Sequence, residues 1–209
     1  MISNNVGRHL WELEEYTWWT SVFTDDELDE ITKYCSALEM EKGMIGGSGE
    51  GGAINNQIRT SNTAFFSPNE SNYYIFEKFN KLIDHVNTEY YQFDLIGYEN
   101  IQYSEYKAEE EGKYDFHMDL FMGEKINITH REKAFNRKLS LVLLLSEPGV
   151  DFEGGEFEMN VSKEERSRKI PFKKGMVILF PSFILHRVTP VTKGLRKSLV
   201  TWVCGPKFK

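Results

Sequence analysis

The segment Lys113-Tyr114-Asp115-Phe116-His117-Met118-Asp119-Leu120 sets an imidazole and a carboxylate two residues apart, and side chains two apart on an extended strand share a face. A second imidazole, His186, follows the apolar stretch Phe183-Ile184-Leu185, itself preceded by a proline-marked turn at Pro181-Ser182. A buried histidine in such surroundings needs a polar partner. His117, Asp119 and His186 together fill three positions of a metal's coordination sphere and leave the others open for a substrate and dioxygen. That donor set suits ferrous iron, and zinc accepts the same ligands less distinctively. Ten residues past His186 stands Arg196, in a segment whose alternation lines up Arg196, Ser198, Val200 and Trp202 on one strand face. A guanidinium grips a carboxylate through two parallel hydrogen bonds, so Arg196 suits an anchor for a dicarboxylate. The remaining histidines, His9, His85 and His130, read as solvated.

These groups need strands to hold them. Thr24-Asp25-Asp26-Glu27 has the form of a capping box, and Leu28, Ile31, Cys35 and Leu38 recur at helical spacing, predicting a helix over 25–39. A second helix is expected over 70–91, after Ser67-Pro68-Asn69-Glu70, with Ile75, Phe79, Leu82, Ile83, Val86 and Tyr90 on one face. From residue 95 the period changes, and eight strands are expected at 96–107, 114–120, 138–145, 156–160, 169–172, 176–180, 186–191 and 195–203. Strands after helices predict a mainly β fold, a sandwich or barrel with the N-terminal helices packed outside it. The expected organisation is one domain over 1–209, with a helical elaboration at about 1–91 and a β core at about 95–204. Two loops stand out: the glycine-rich Gly43–Gly52, read either as a flap over a site or as an unstructured hairpin, and the long polar connection Phe121–Asn136.

With 25 Lys and Arg against 32 Asp and Glu, the net charge of −7 is the wrong sign for a partner with a phosphate backbone. No apolar run approaches the roughly 18 residues of a membrane span; even Leu139–Leu145 is interrupted by Ser140. No signal-like N-terminal pattern is visible, so a cytoplasmic location is expected, with neither nucleic acid nor membrane as partner. Two cysteines, Cys35 and Cys204, require no disulfide framework.

The order of motifs carries a family resemblance. His117-x-Asp119, then Phe152-Glu153-Gly154-Gly155-Glu156-Phe157, Phe180-Pro181-Ser182, Leu185-His186-Arg187-Val188-Thr189-Pro190-Val191 and Gly194-x-Arg196 resemble the Fe(II)- and 2-oxoglutarate-dependent dioxygenases. Within them the chain is similar to the prolyl 4-hydroxylases, and the stretch from Pro181 to Trp202 to the PKHD-type hydroxylases. The resemblance implies a double-stranded β-helix (jelly roll, cupin-like) with Fe(II) on His117, Asp119 and His186. It further implies 2-oxoglutarate and O2 as co-substrates, ascorbate as a candidate accessory reductant, and a proline-containing peptide or protein as substrate. Arg196, assisted by Ser198, would bind the distal carboxylate of 2-oxoglutarate, with either Tyr106 or Tyr103 as a further contact. Arg59, Glu99, Tyr114 and Trp202 would face the peptide. Strict alternation puts Tyr114 opposite His117, so either the strand starts after Tyr114 or that role fails. Trp202 has a second reading, as a core residue closing the barrel. The alternatives to prolyl hydroxylation are a 2-oxoglutarate oxygenase on another substrate and a non-catalytic jelly-roll binding module.

Overall fold

The computed structural model describes residues 14–45, 52–120, 135–160 and 167–207. Most of the glycine-rich loop and of the long polar connection, residues 46–51 and 121–134, therefore lies outside the described residues, as do His9 and His130.

Fourteen strands and two α-helices occur among the described residues. In chain order they are β1 (Thr17–Trp19), α1 (Asp25–Ser36), β2 (Glu41–Lys42), β3 (Arg59–Thr60), β4 (Asn62–Phe66), α2 (Tyr73–Val86), β5 (Gly97–Tyr98), β6 (Ile101–Lys107) and β7 (Lys113–His117). There follow β8 (Phe135–Leu144), β9 (Phe152–Gly154), β10 (Phe157–Asn160), β11 (Arg168–Lys169), β12 (Val177–Pro181), β13 (Leu185–Val188) and β14 (Val191–Pro206). The major sheet runs β1-β12-β8-β14-β6-β4-β2, with β5 and β9 also on β14; the minor sheet runs β11-β10-β13-β7-β3. The two sheets make the double-stranded β-helix.

The capping box at α1 forms as expected: the Glu27 amide donates to Thr24 Oγ1, and the Thr24 amide to the Glu27 carboxylate. Helix α2 starts later than its composition suggests. Asn69 and Asn72 tie the preceding turn, with the Asn69 amide on Asn72 Oδ1 and Asn72 Nδ2 on the Ser67 carbonyl, which is how asparagine side chains compete with a first helical turn. One π-helical turn at Asn87–Tyr91 ends it. The expectation of a helical N-terminal elaboration needs correction, because β1 to β4 lie within it. These strands have two to five residues, too few to show a period in the sequence.

The major sheet is buried on both faces, and parity sorts its residues. Leu139, Leu141 and Leu143 of β8, Val177 and Leu179 of β12, Ile101 and Tyr103 of β6 and Leu199 of β14 pack with Ile31 and Cys35 of α1 and Ile75, Phe79 and Val86 of α2. Their alternates Val142, Leu144, Ile178, Phe180 and Tyr106 pack between the sheets with Phe157, Met159 and Val188. Arg196, Ser198, Val200 and Trp202 of β14 belong to this second side and line a cavity there.

Strand β14 is bent where it meets β9, with a register irregularity between Val191 and Lys193. Gly194 has φ +74°, and an added Cβ would lie 2.0 Å from the Asp151 carbonyl oxygen. Gly194→Ala should therefore lose at least the about 1–2 kcal/mol of a left-handed non-glycine residue, read as a lower urea midpoint. An unchanged midpoint would mean that this bend is not held by backbone packing.

Candidate active site

His117 and His186 are directly opposite each other on β7 and β13, with ring centroids 4.2 Å apart. Each ring is oriented by its own backbone: Nδ1 lies 2.8 Å from the Asp115 carbonyl in His117 and 2.9 Å from the Ile184 carbonyl in His186. Nδ1–H donates to these oxygens, so the Nε2 lone pairs are the free ones. They face Asp119, which lies beyond the end of β7: His117 Nε2 is 3.6 Å from Oδ1 and His186 Nε2 is 3.5 Å from Oδ2. One donor atom from each of the three residues falls within 4.8 Å of the others. Two imidazole nitrogens and one carboxylate oxygen, converging and buried, fit a divalent transition metal. Burial, with the neighbouring His186 in support, lowers the His117 pKa to about 4, which keeps its ring neutral and able to ligate at physiological pH. Burial alone would raise the Asp119 carboxyl; the two histidines, Arg137 and a hydrogen bond from Ser140 outweigh it and hold the group below its ordinary range.

Tyr114 is on the His117 side after all. Between His186 and Val188 the partner register skips from His117 to Tyr114, so β7 carries one extra residue there, a β-bulge that resets the alternation. The phenol ring stacks on the His117 imidazole with centroids 3.5 Å apart and planes 12° from parallel. Its other neighbour is the Arg59 guanidinium, 4.6 Å from the ring centre. Parity puts the two tyrosines on opposite sides of β6. Tyr106 is the cross-strand partner of Arg196 and lines the cavity, whereas Tyr103 is in the helix-side core.

Arg196 is 1% exposed. Its Nε donates to the Gly155 carbonyl and its Nη1 to Ser198 Oγ; Gly155 allows this approach, since a Cβ there would come within 3.0 Å of Arg196 Cδ. Among the described residues no carboxylate pairs with it, and burial pulls its pKa down to about 10. A charged guanidinium so placed calls for an anionic ligand.

A cavity of about 550 Å³ joins these groups; His117, Asp119, His186, Arg196, Tyr106, Ser198, Arg59, Glu99, Tyr114 and Trp202 all line it. Three buried side-chain polar atoms lack a partner among the described residues, and two of them belong to lining residues: Arg59 Nη2 and Trp202 Nε1. The site also contains a residue that sequence reasoning missed. Arg137 lies 3.8 Å over the Trp202 ring and takes both Glu99 oxygens, at 2.7 and 2.6 Å. Glu99 thus reaches the cavity as half of an ion pair. The one signal for it in the sequence is its place two residues before the apolar run that starts at Leu139.

A double-stranded β-helix with two histidines, one aspartate and a buried arginine on its inner side defines a class. Residues 101–204 match the 2OG-Fe(II) oxygenase superfamily, and this segment belongs to it. Within that class part of the chain is similar to the PKHD-type hydroxylases. It is 41% identical over 73 residues to a PKHD-type hydroxylase of Synechococcus sp. (strain JA-2-3B'a(2-13)), covering 35% of this chain and 31% of that protein. A PKHD-type hydroxylase of Colwellia psychrerythraea is 43% identical over 72 residues, 34% of this chain and 31% of that protein. The chain thus spans about a third of the length of these curated relatives. In fold it is similar to a Pseudomonas putida prolyl-4-hydroxylase, with TM-score 0.71, 18% identity and 92% and 94% of the two chains covered. It is also similar to a viral collagen prolyl hydroxylase from Paramecium Bursaria Chlorella virus-1, with TM-score 0.62, 20% identity and coverage of 92% and 97%.

The lowered His117 pKa has a consequence for stability. Between pH 6.5 and about 4 the unfolded chain binds the His117 proton and the folded chain does not, so metal-free protein should lose stability as pH falls through this window. The Asp119 carboxyl extends the loss below its ordinary 3.8. Urea midpoints measured in steps of pH should fall, and His117→Gln should flatten the upper part of the curve.

Proposed function

We propose that this chain is a peptidyl-prolyl hydroxylase that consumes O2 and 2-oxoglutarate and releases succinate and CO2. The observation that carries the reading is the convergence, in one cavity, of a buried two-histidine, one-aspartate donor set with a buried arginine that has no carboxylate partner among the described residues. Ferrous iron with 2-oxoglutarate would, when bound, let O2 supply the oxidising power to place a hydroxyl on an unactivated C–H bond. His117, Asp119 and His186 would hold the metal, their rings pre-oriented by the backbone carbonyls of Asp115 and Ile184. Arg196 would bind the distal carboxylate of the co-substrate, with Ser198 holding the guanidinium in place and Tyr106 flanking it.

For the prime substrate, the unpartnered donors Arg59 Nη2 and Trp202 Nε1 suit backbone carbonyls on either side of a reacting residue. The face of Trp202 away from Arg137 suits the ring of a proline, whereas Tyr114 is already stacked on His117 with Arg59 over its ring. Arg137, fixed by Glu99, keeps the indole from rotating. The names of the PKHD-type and prolyl hydroxylase relatives favour proline over other residues. The predicted absence of nucleic-acid and membrane partners and the cytoplasmic location remain proposals from composition; no helix among the described residues is long and apolar enough to cross a membrane.

The test is mass spectrometry of proline-containing peptides and proteins, seeking a gain of one oxygen atom that depends on both iron and 2-oxoglutarate. Gain on a different residue would retain the oxygenase and replace its substrate; absence of any 2-oxoglutarate turnover would favour a binding module. His117→Ala should abolish turnover while leaving the far-UV circular dichroism spectrum unchanged. Arg196→Ala should raise the KM for 2-oxoglutarate by about tenfold to a hundredfold, as expected for loss of a charge-assisted hydrogen bond of about 1.5–3 kcal/mol.

Trp202→Ala should lower peptide hydroxylation more than 2-oxoglutarate decarboxylation, so that succinate accumulates in excess of hydroxylated product. A parallel fall in both rates, with a lower melting temperature, would assign Trp202 to the core alone.

A further inference from the structure

Strand β8 is apolar from Leu139 to Leu144 except at Ser140, and Ser140 is fully buried on the inter-sheet side between its neighbours Phe180 and Trp202. A hydroxyl in the middle of such a strand costs stability unless it is hydrogen-bonded. Its Oγ is 2.7 Å from Asp119 Oδ2 and 3.0 Å from the hydroxyl of Ser182, which is also fully buried. The direction of this chain follows from chemistry. An ionised carboxylate only accepts, so Ser140 donates to Asp119, and its oxygen is left to accept from Ser182.

Ser182 also acts through its backbone. Its amide donates to the Lys138 carbonyl of β8, and its carbonyl accepts from the Leu120 amide, one residue after Asp119. Asp119 itself is past the last residue of β7, so the ladder that fixes His117 does not reach it. Ser182 therefore clamps the backbone at the Asp119 end, and the Ser182–Ser140 relay holds one carboxylate oxygen. The two histidines already have such anchors in the carbonyls of Asp115 and Ile184; Ser140 and Ser182 give the aspartate its own.

We infer that Ser140 and Ser182 are positioning residues of the metal centre, which hold Asp119 Oδ2 so that the carboxylate offers Oδ1 as a single ligand atom. The inference rests on the assignment of His117, Asp119 and His186 as metal ligands. An unheld carboxylate would rotate, and the donor set would have to be ordered at the moment of binding. Outer-shell partners of this kind typically account for about tenfold to a hundredfold in metal affinity.

The experiment is titration of the metal-free protein with Mn(II) and with Co(II), the first for the dissociation constant and the second for the d–d absorption of the bound ion. Ser140→Ala should raise the dissociation constant for Mn(II) by about tenfold or more and shift the Co(II) bands, with the metal-free protein still folded by circular dichroism. Ser182→Ala, which leaves the Ser140 donor without its own support, should change both in the same direction by less, and it decides the matter if Ser140→Ala does not fold. Asp119→Ala separates the two levels of the argument. If that variant and the parent bind metal equally, the ligand assignment itself fails. If Asp119→Ala loses the metal while both serine variants keep the parental affinity and Co(II) spectrum, the ligands stand and the positioning role is overturned. A lower melting temperature with unaltered metal binding would likewise leave the serines a purely structural role.

Discussion

The sheet formed by β12, β8, β14 and β6 is covered on both faces, and that constraint governs the rest of the molecule. Each of these strands must present an apolar row to the helices, because α1 and α2 bury Leu139, Leu141, Leu143, Leu179 and Leu199 there. The alternate row is then free to carry polar groups, provided each finds a partner. Ser140, Arg196, Ser198 and Gln102 all occupy that second row, and each is hydrogen-bonded. Helix packing on one face thus provides the rigidity on which polar chemistry on the other depends.

The charges on the inner side are unequally settled. Arg137 has Glu99, and although burial works against its charge, that pair holds its pKa above the ordinary value. Among the described residues Arg196 has only neutral acceptors, and burial lowers its pKa. The ligand-free protein therefore keeps a desolvated cation whose cost a bound dianion would relieve. Binding of such an anion and resistance to unfolding are coupled through this residue.

How much of this could be read in advance depended on whether the relevant signal was local. Arg196-x-Ser198 was legible because period-2 alternation is a property of one strand; His117-x-Asp119 was legible as a spacing, but the strand expected at 114–120 ends at His117 and Asp119 lies past it. Tyr103 and Tyr106 were not separable, since their faces depend on which residue of β14 each opposes. Tyr114 was placed on the wrong face by strict alternation because a bulge in β7 resets the count. Strands β1 to β4 went unread for want of length. Arg137, Ser140 and Ser182 belong to the site through partners 21 or more residues away in the chain, a kind of information that no short window of sequence contains.

Strands β3 and β4 are separated by Ser61 alone, yet β3 pairs with β7 in one sheet and β4 with β6 in the other. Eight residues, 59–66, therefore stitch the two halves of the sandwich together at its rim. The segment that matches the superfamily, 101–204, accordingly does not amount to a free-standing unit. Cut away from the preceding chain, it would expose the bare backbone amides and carbonyls of β6 and β7 at two open borders, where another molecule could add its own strand. A fragment chosen from family boundaries would thus invite aggregation.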